Sequence, residues 1–124
     1  MYQDIILEYY RNPINFGHLD KPTVHAQDSN PLCGDQIEIE LLIKDNKVED
    51  IRFYGKGCAI SQATASMLTE KVKGMNMEEV KSLSKEDIFK MLGIKLGVVR
   101  MKCGLLALNT LLKGINNMKD EKHK

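Results

Sequence analysis

Three cysteines are the residues of this sequence best suited to chemistry. Cys33 lies in a turn bracketed by proline and glycine, and Cys58 follows a glycine where a helix is expected to begin. Cys103, preceded by Lys102, lies at the expected start of another helix. A helix N-terminus and a neighbouring cation both favour thiolate, whereas a free cysteine is more often a small buried hydrophobe. Three cysteines in such positions indicate reactive thiols.

A carboxylate accompanies the first cysteine, because Asp35 follows Cys33 by two residues. If both helix starts converge on one end of a sheet, Cys33, Asp35, Cys58 and Cys103 form one ligand set. Thiolates select zinc or iron–sulfur clusters, and a carboxylate is a harder, weaker ligand that leaves one corner exchangeable. The separations of 25 and 45 residues between the cysteines fit no closed zinc-finger pattern. The residues therefore predict a thiol-rich metal site, with core filling and a lone nucleophile as the alternatives.

Lys102 and the histidines carry weaker signals. A lysine at a helix start is unfavourable with the helix dipole, which makes Lys102 a candidate to serve the neighbouring thiolate, although a solvated cation is the commoner case. His18, His25 and His123 have no metal-ligand spacing to any cysteine, so the predicted ligand set omits them.

Length and charge narrow the class of protein. The 124 residues suit one domain, and 18 basic against 17 acidic side chains leave a net charge of +1. So small a net charge gives no long-range electrostatic attraction for a phosphate backbone, so we expect no nucleic acid as a partner. No apolar run is long enough to span a membrane and no secretory signal is recognisable, so a cytoplasmic protein with reduced thiols and no membrane contact is expected.

The apolar pattern predicts a helix, then a small antiparallel sheet, then more helices. An apolar stripe marks a helix over Tyr2–Tyr10, formed by Tyr2, Ile5, Ile6, Tyr9 and Tyr10. Thr23–Ala26 is a candidate short edge strand, and alternating apolar residues mark strands over Gln36–Lys44 and Val48–Tyr54. A three-residue loop between these two strands sets Leu41 opposite Ile51 and Ile39 opposite Phe53, with all four on one face.

The second half of the chain predicts helices that cover that face. They run from Cys58 to Gly74, from Met77 to Leu83, from Ser84 to Gly93, and, after the short apolar pair Val98–Val99, from near Cys103 to about Gly114. Residues 1–117 would form the domain, and the polar residues 118–124 a disordered tail. The fold class predicted is α+β, with about three antiparallel strands and helices packed on one sheet face.

Four motifs in order give the chain a specific resemblance. It is similar, over roughly Tyr2 to Asn116, to the iron–sulfur cluster assembly scaffold family, the group of IscU, SufU and the NifU N-terminal domain. The matching segments are Tyr2–Pro13 with Asn15–Gly17, Asn30–Asp35, Gly55–Ser61 with Ala63, Ala65 and Ser66, and Arg100–Cys103.

The resemblance implies a three-stranded sheet covered by helices and a site at its edge. That site would hold zinc or a 2Fe–2S cluster, with Cys33, Cys58 and Cys103 as thiolate ligands, Asp35 as the labile ligand and Cys103 as the persulfide acceptor. The implied partners are a cysteine desulfurase and apo iron–sulfur acceptor proteins, and a homodimer around a shared cluster stays open.

Two departures bear on the subtype. Lys102 stands where many IscU-type chains have histidine, as it does in SufU-like chains, whereas the insertion usual in SufU-like chains between the second and third cysteines is missing. We therefore expect a scaffold that assembles 2Fe–2S clusters rather than an enzyme. The alternatives are a zinc-dependent sulfur acceptor for a desulfurase and a passive structural zinc domain.

Overall fold

The computed structural model describes residues 2–30, 34–93 and 97–122, and over these the elements follow the predicted α+β order. The elements are α1 (Tyr2–Arg11), β1 (Val24–Asn30), β2 (Asp35–Lys44), β3 (Lys47–Lys56), α2 (Ala59–Val72), α3 (Met77–Lys81), α4 (Lys85–Leu92) and α5 (Val98–Lys122). Among these helices none has the length and apolar character needed to cross a bilayer.

The three strands form one antiparallel sheet in the order β1-β2-β3. Ile39 pairs with Phe53 and Leu41 with Ile51, which confirms the predicted register. The predicted three-residue loop is wrong, because only Asp45 and Asn46 connect the strands, both with left-handed backbone angles (φ 54° and 64°). Two consecutive residues with left-handed backbone angles form a tight hairpin turn whose twist matches that of the two strands. An irregularity in the strand pairing after Leu42 then brings Leu41 opposite Ile51, as predicted.

The first strand is longer than its sequence pattern indicates. It extends to Asn30, which pairs with Asp35, although its second half is polar and lacks alternation. Hydrogen bonding to β2 decides this strand rather than its own β propensity. The consequence for function is that Asp35 starts β2 at the end of the sheet.

One face of the sheet carries the core. Ile37, Ile39, Leu41, Ile51 and Phe53 are fully buried there, and α2 and α5 pack against this side. The other face bears polar side chains, such as the half-buried Glu38 and Glu40. The prediction of helices on one sheet face is confirmed.

The last helix differs from its predicted extent. It begins at Val98 and runs to Lys122, so it passes the expected domain boundary at residue 117, and residues 118–122 are helical. Gly114, expected near its end, lies inside it, and a Cβ at this position would lie 2.8 Å from the Ala26 Cβ. The glycine is needed because α5 crosses β1 closely at this point.

The first helix buries a narrower stripe than predicted. Ile6 is buried and Tyr9 is partly buried against the core, but Ile5 and Tyr10 are 45% and 43% exposed. The reason is that, among the described residues, α1 packs chiefly against α2, so that a narrow line of its side chains is covered. The Tyr9 hydroxyl donates to Glu70 Oε1 at 2.7 Å, and this bond, with burial and the charge of Glu70, raises the pKa of Tyr9.

Candidate metal centre

Cys58 is the residue on which α2 begins. Its backbone is extended (φ −73°, ψ 166°), and its carbonyl accepts the first helical hydrogen bond, from Gln62 N–H at 3.2 Å. The prediction that this cysteine lies at a helix start is therefore confirmed. Its side chain is half-buried and caps none of the helix N–H groups, so the sulfur remains beside the positive end of the helix dipole.

Asp35 is held against that helix start. Its side chain is almost fully buried, at 1% exposed, and Oδ1 accepts a hydrogen bond from the Cys58 backbone N–H at 3.0 Å. The other oxygen, Oδ2, accepts from the Cys58 thiol at 3.4 Å. The carboxylate therefore has one oxygen fixed by the backbone and the other turned to the sulfur.

Cys103 completes the group that the structure brings together. It is buried on α5, and its sulfur, the Cys58 sulfur and an Asp35 oxygen all lie within 4.8 Å of one another. Around a tetrahedral zinc ion with bonds of about 2.3 Å, ligand atoms lie roughly 3.8 Å apart, so small side-chain adjustments would let these three share one ion. Two soft sulfurs and one carboxylate suit zinc or an iron–sulfur cluster, and this donor set fits the predicted cargo.

The expected placement of Cys103 at a helix start is wrong. Because α5 begins at Val98, Cys103 is its sixth residue, beyond the first turn in which a helix dipole acts. The short apolar pair at 98–99 belongs to the helix itself, since packing of α5 overrides the weak helix preference of valine. The position of Cys103 therefore results from helix packing and not from a helix terminus.

Two further predicted site residues, Cys33 and Lys102, remain to be placed relative to this trio, and only Lys102 is among the described residues. Cys33 lies outside the described residues, which resume at Gly34, where the backbone N–H bonds the Asn30 carbonyl at 2.8 Å. Lys102 is exposed and lines a groove of about 400 Å³ between the end of β1 and α5. Lys102 is therefore exposed beside this groove, whereas its chain neighbour Cys103 is buried.

The described histidines lie on the open face of the sheet. His18 Nδ1 is 3.4 Å from Glu40 Oε2, and His25 Nε2 is 3.0 Å from Glu38 Oε1. These pairs are surface contacts between neighbouring strands and loops. His123 lies outside the described residues.

Sequence reasoning missed two residues that shape the centre. Gly57 has a left-handed backbone (φ +155°), and a Cβ there would lie 2.6 Å from the Asp35 carboxyl carbon and closer still to Oδ1. Ser61 is fully buried, and its hydroxyl lies 3.8 Å from the Cys58 sulfur. The signal that could have found Ser61 is its spacing of three residues from Cys58, which places both on one side of a helical turn.

Comparison with known proteins agrees with this architecture. A family model described as the NifU-like N terminal domain matches residues 1–124. The iron-sulfur cluster assembly scaffold protein IscU 1 of Archaeoglobus fulgidus is 36% identical over 115 residues, which cover 93% of this chain and 74% of that protein. The zinc-dependent sulfurtransferase SufU of Bacillus subtilis is 34% identical over 132 residues, covering 93% of this chain and 89% of that protein.

A solved structure shows the same fold at lower identity. The N-terminal part of a NifU-like protein from Brucella abortus superposes with a TM-score of 0.80 at 23% identity, covering 96% of this chain and 94% of the other. The family match over the whole chain and relatives above 30% identity confirm the resemblance based on the four motifs. The chain belongs to the NifU-like N-terminal domain family, which includes the IscU and SufU relatives.

Proposed function

We propose that this chain is a scaffold on which 2Fe–2S clusters are assembled from iron and desulfurase-derived sulfur and then handed to apo-proteins. The observation that carries the proposal is the group of Asp35, Cys58 and Cys103, whose ligand atoms lie within 4.8 Å of one another. The similarity to IscU 1 of Archaeoglobus fulgidus, named as an assembly scaffold, supports it. Such thiolates stay available only in a reducing compartment, so we place the protein in the cytoplasm.

Cys33 completes the proposed ligand set, in which three thiolates and the Asp35 carboxylate hold the cargo. Asp35 is the exchangeable member because an oxygen ligand binds a soft metal more weakly than sulfur does. Its Oδ1 stays bonded to the Cys58 N–H, which leaves Oδ2 to bind and release the cargo. A carboxylate that releases the cluster with one oxygen, while its other oxygen stays bonded to the backbone, suits a scaffold that must transfer the cluster to an acceptor.

Sulfur enters, in this proposal, through thiol–disulfide chemistry on Cys103. Its thiolate attacks the outer sulfur of a persulfide on the cysteine desulfurase. A new sulfur–sulfur bond forms on Cys103, the bond within the donor persulfide breaks, and the desulfurase cysteine leaves as a thiolate. An external thiol or electron donor then supplies the two electrons that convert each bound sulfur to sulfide. Lys102, exposed and adjacent to Cys103 in the chain, provides a cation for the approaching anionic persulfide.

The zinc-dependent sulfur acceptor is the second candidate, and the similarity to SufU together with Lys102 favours it. The scaffold remains the first candidate because most of the relatives that match this chain are named as assembly scaffolds.

Cluster formation provides the direct test. The reduced protein is incubated without oxygen with ferrous iron, cysteine and a cysteine desulfurase while the visible spectrum is recorded. We expect sulfide-to-iron charge-transfer bands that are lost in Cys58→Ser, and a doubled apparent mass on size exclusion if two copies share one cluster. No bands, together with faster desulfurase turnover only when zinc is bound, would instead establish the sulfur acceptor.

Replacement of the exchangeable ligand tests the release step. Asp35→Ala should retain the cluster longer, so that its transfer to an apo-ferredoxin is slower than from the wild type. An unchanged transfer rate contradicts the role assigned to Asp35. Chelation of zinc distinguishes the passive structural domain, because a structural zinc ion contributes folding free energy and its removal would unfold the protein.

A further inference from the structure

Ser61 lies against the Cys58 sulfur because the two residues are three apart at the start of α2. The side chain is 0% exposed, and its hydroxyl donates to the Cys58 carbonyl at 3.1 Å. That carbonyl already accepts the Gln62 N–H, so the bond from Ser61 is additional to the helical one. The same hydroxyl oxygen is 3.8 Å from the sulfur.

Among the described residues, the Cys58 sulfur thus has two oxygen atoms within hydrogen-bond distance, Asp35 Oδ2 and Ser61 Oγ. Asp35 Oδ2, at 3.4 Å, is the nearer of the two, so it takes the single thiol proton. The Ser61 hydroxyl is the more distant acceptor at 3.8 Å. In this state the hydroxyl proton is directed to the carbonyl.

Metal binding removes the thiol proton and changes what these neighbours can do. A carboxylate only accepts hydrogen bonds, so Asp35 has nothing to offer a thiolate. A hydroxyl both donates and accepts, and rotation about one bond redirects its proton. Of the two oxygen groups that contact the sulfur, only Ser61 can become a donor to it.

We propose that Ser61 is a positioning residue for metal-bound Cys58: its hydroxyl turns from the Cys58 carbonyl to the sulfur and donates a hydrogen bond to the thiolate ligand. The inference rests on the proposed metal site. It follows from the burial of Ser61, the two contacts of its hydroxyl and the donor capacity that Asp35 lacks. Hydrogen bonds to ligating sulfur lower its electron donation and fix its direction, and such outer contacts tune affinity and potential.

Cobalt substitution tests the proposal on the full chain without any cluster chemistry. Reduced wild type and Ser61→Ala are titrated with Co²⁺ without oxygen, and the sulfur-to-cobalt charge-transfer band is recorded. We expect the band of Ser61→Ala at lower energy, because its sulfur lone pairs are no longer stabilised by a donated hydrogen bond. Competition with a chelator should show Zn²⁺ affinity lower by about ten-fold, the lower end of typical effects of outer-shell partners.

Ser66→Ala is the matched control, since Ser66 is also fully buried on α2 but its hydroxyl accepts the Ile14 N–H at 2.7 Å, away from the sulfur. It should leave the cobalt band at the wild-type energy. Identical bands in wild type and Ser61→Ala, or an equal shift in Ser66→Ala, overturn the role of Ser61. Failure of the wild type to bind Co²⁺ or Zn²⁺ would instead refute the proposed metal site itself.

Discussion

Gly57→Ala should damage both the fold and the proposed metal site, because the new methyl group would occupy the place of the Asp35 carboxylate. A Cβ at this position lies 2.6 Å from the carboxyl carbon and 2.9 Å from the Asp35 Cβ, well inside ordinary contact. The backbone angle of φ +155° adds strain of about 1–3 kcal/mol for a residue other than glycine. Displacing the carboxylate also breaks its bond with the Cys58 N–H, a loss of about 1.5–3 kcal/mol.

The free energy of unfolding of the metal-free protein, from urea denaturation, should therefore fall by roughly 3–5 kcal/mol. Zn²⁺ affinity should fall as well, because Asp35 no longer faces Cys58. Gly74→Ala separates the two causes, since Gly74 also has a positive φ (+93°) but no atom within 4 Å of a Cβ. That control should lose stability through backbone strain and keep wild-type Zn²⁺ affinity. Equal losses in both variants would refute the argument that Gly57 makes room for Asp35.

Two other substitutions test the fold around the site. Gly114→Ala should lower the free energy of unfolding by about 1–3 kcal/mol, measured by urea denaturation, since its methyl group would meet Ala26 at 2.8 Å and force α5 off β1. Asp50→Asn should make the free energy of unfolding less dependent on pH in the acid range. Burial acts to raise the pKa of Asp50, but a backbone N–H and the cation of Arg52 outweigh it, so the pKa lies below 3.8. The wild type therefore gains stability from this carboxylate above that pH and loses it as the pH falls further.

Each of these substitutions has a matched control. Gly97→Ala places a methyl group where nothing lies within 4 Å, so it should not show the loss expected of Gly114→Ala. Glu49→Gln removes an exposed carboxyl from the same strand as Asp50 and controls for the change in net charge. A Gly114→Ala protein as stable as the wild type would mean that the helix and strand have room to separate. If Asp50→Asn left the pH dependence of stability unchanged in the acid range, the ion pair of Asp50 with Arg52 would not have the stabilising role assigned to it.

The pairing of β2 with β3 was predictable because burial of one face admits only one register. Leu41 and Ile51 had to oppose each other for both to reach the core, and they do. The turn was not predictable by the same reasoning. A two-residue turn with an irregularity after Leu42 gives the same pairing as a longer loop, and the apolar pattern does not distinguish them.

The sequence predicted which residues belong to the candidate site better than it predicted why the fold brings them together. Cys58 lies at a helix start as its preceding glycines indicate, and Asp35 follows from its position at a strand start. Cys103 reaches the same place from the second turn of a long helix, which depends on how α5 packs across the sheet. The hydroxyl of Ser61 depends on a side-chain rotamer, and periodicity carries no information about that.

The bond between Asp35 Oδ1 and the Cys58 N–H joins a proposed ligand to the first turn of α2. A buried carboxylate that lost its metal with no other partner would be an uncompensated charge, and departure of the cargo would then be opposed by desolvation. Here the helix terminus compensates the charge whether or not the cargo is present. In the proposed scaffold, this bond lowers the desolvation cost of leaving Asp35 without its cargo, and it therefore favours release to an acceptor.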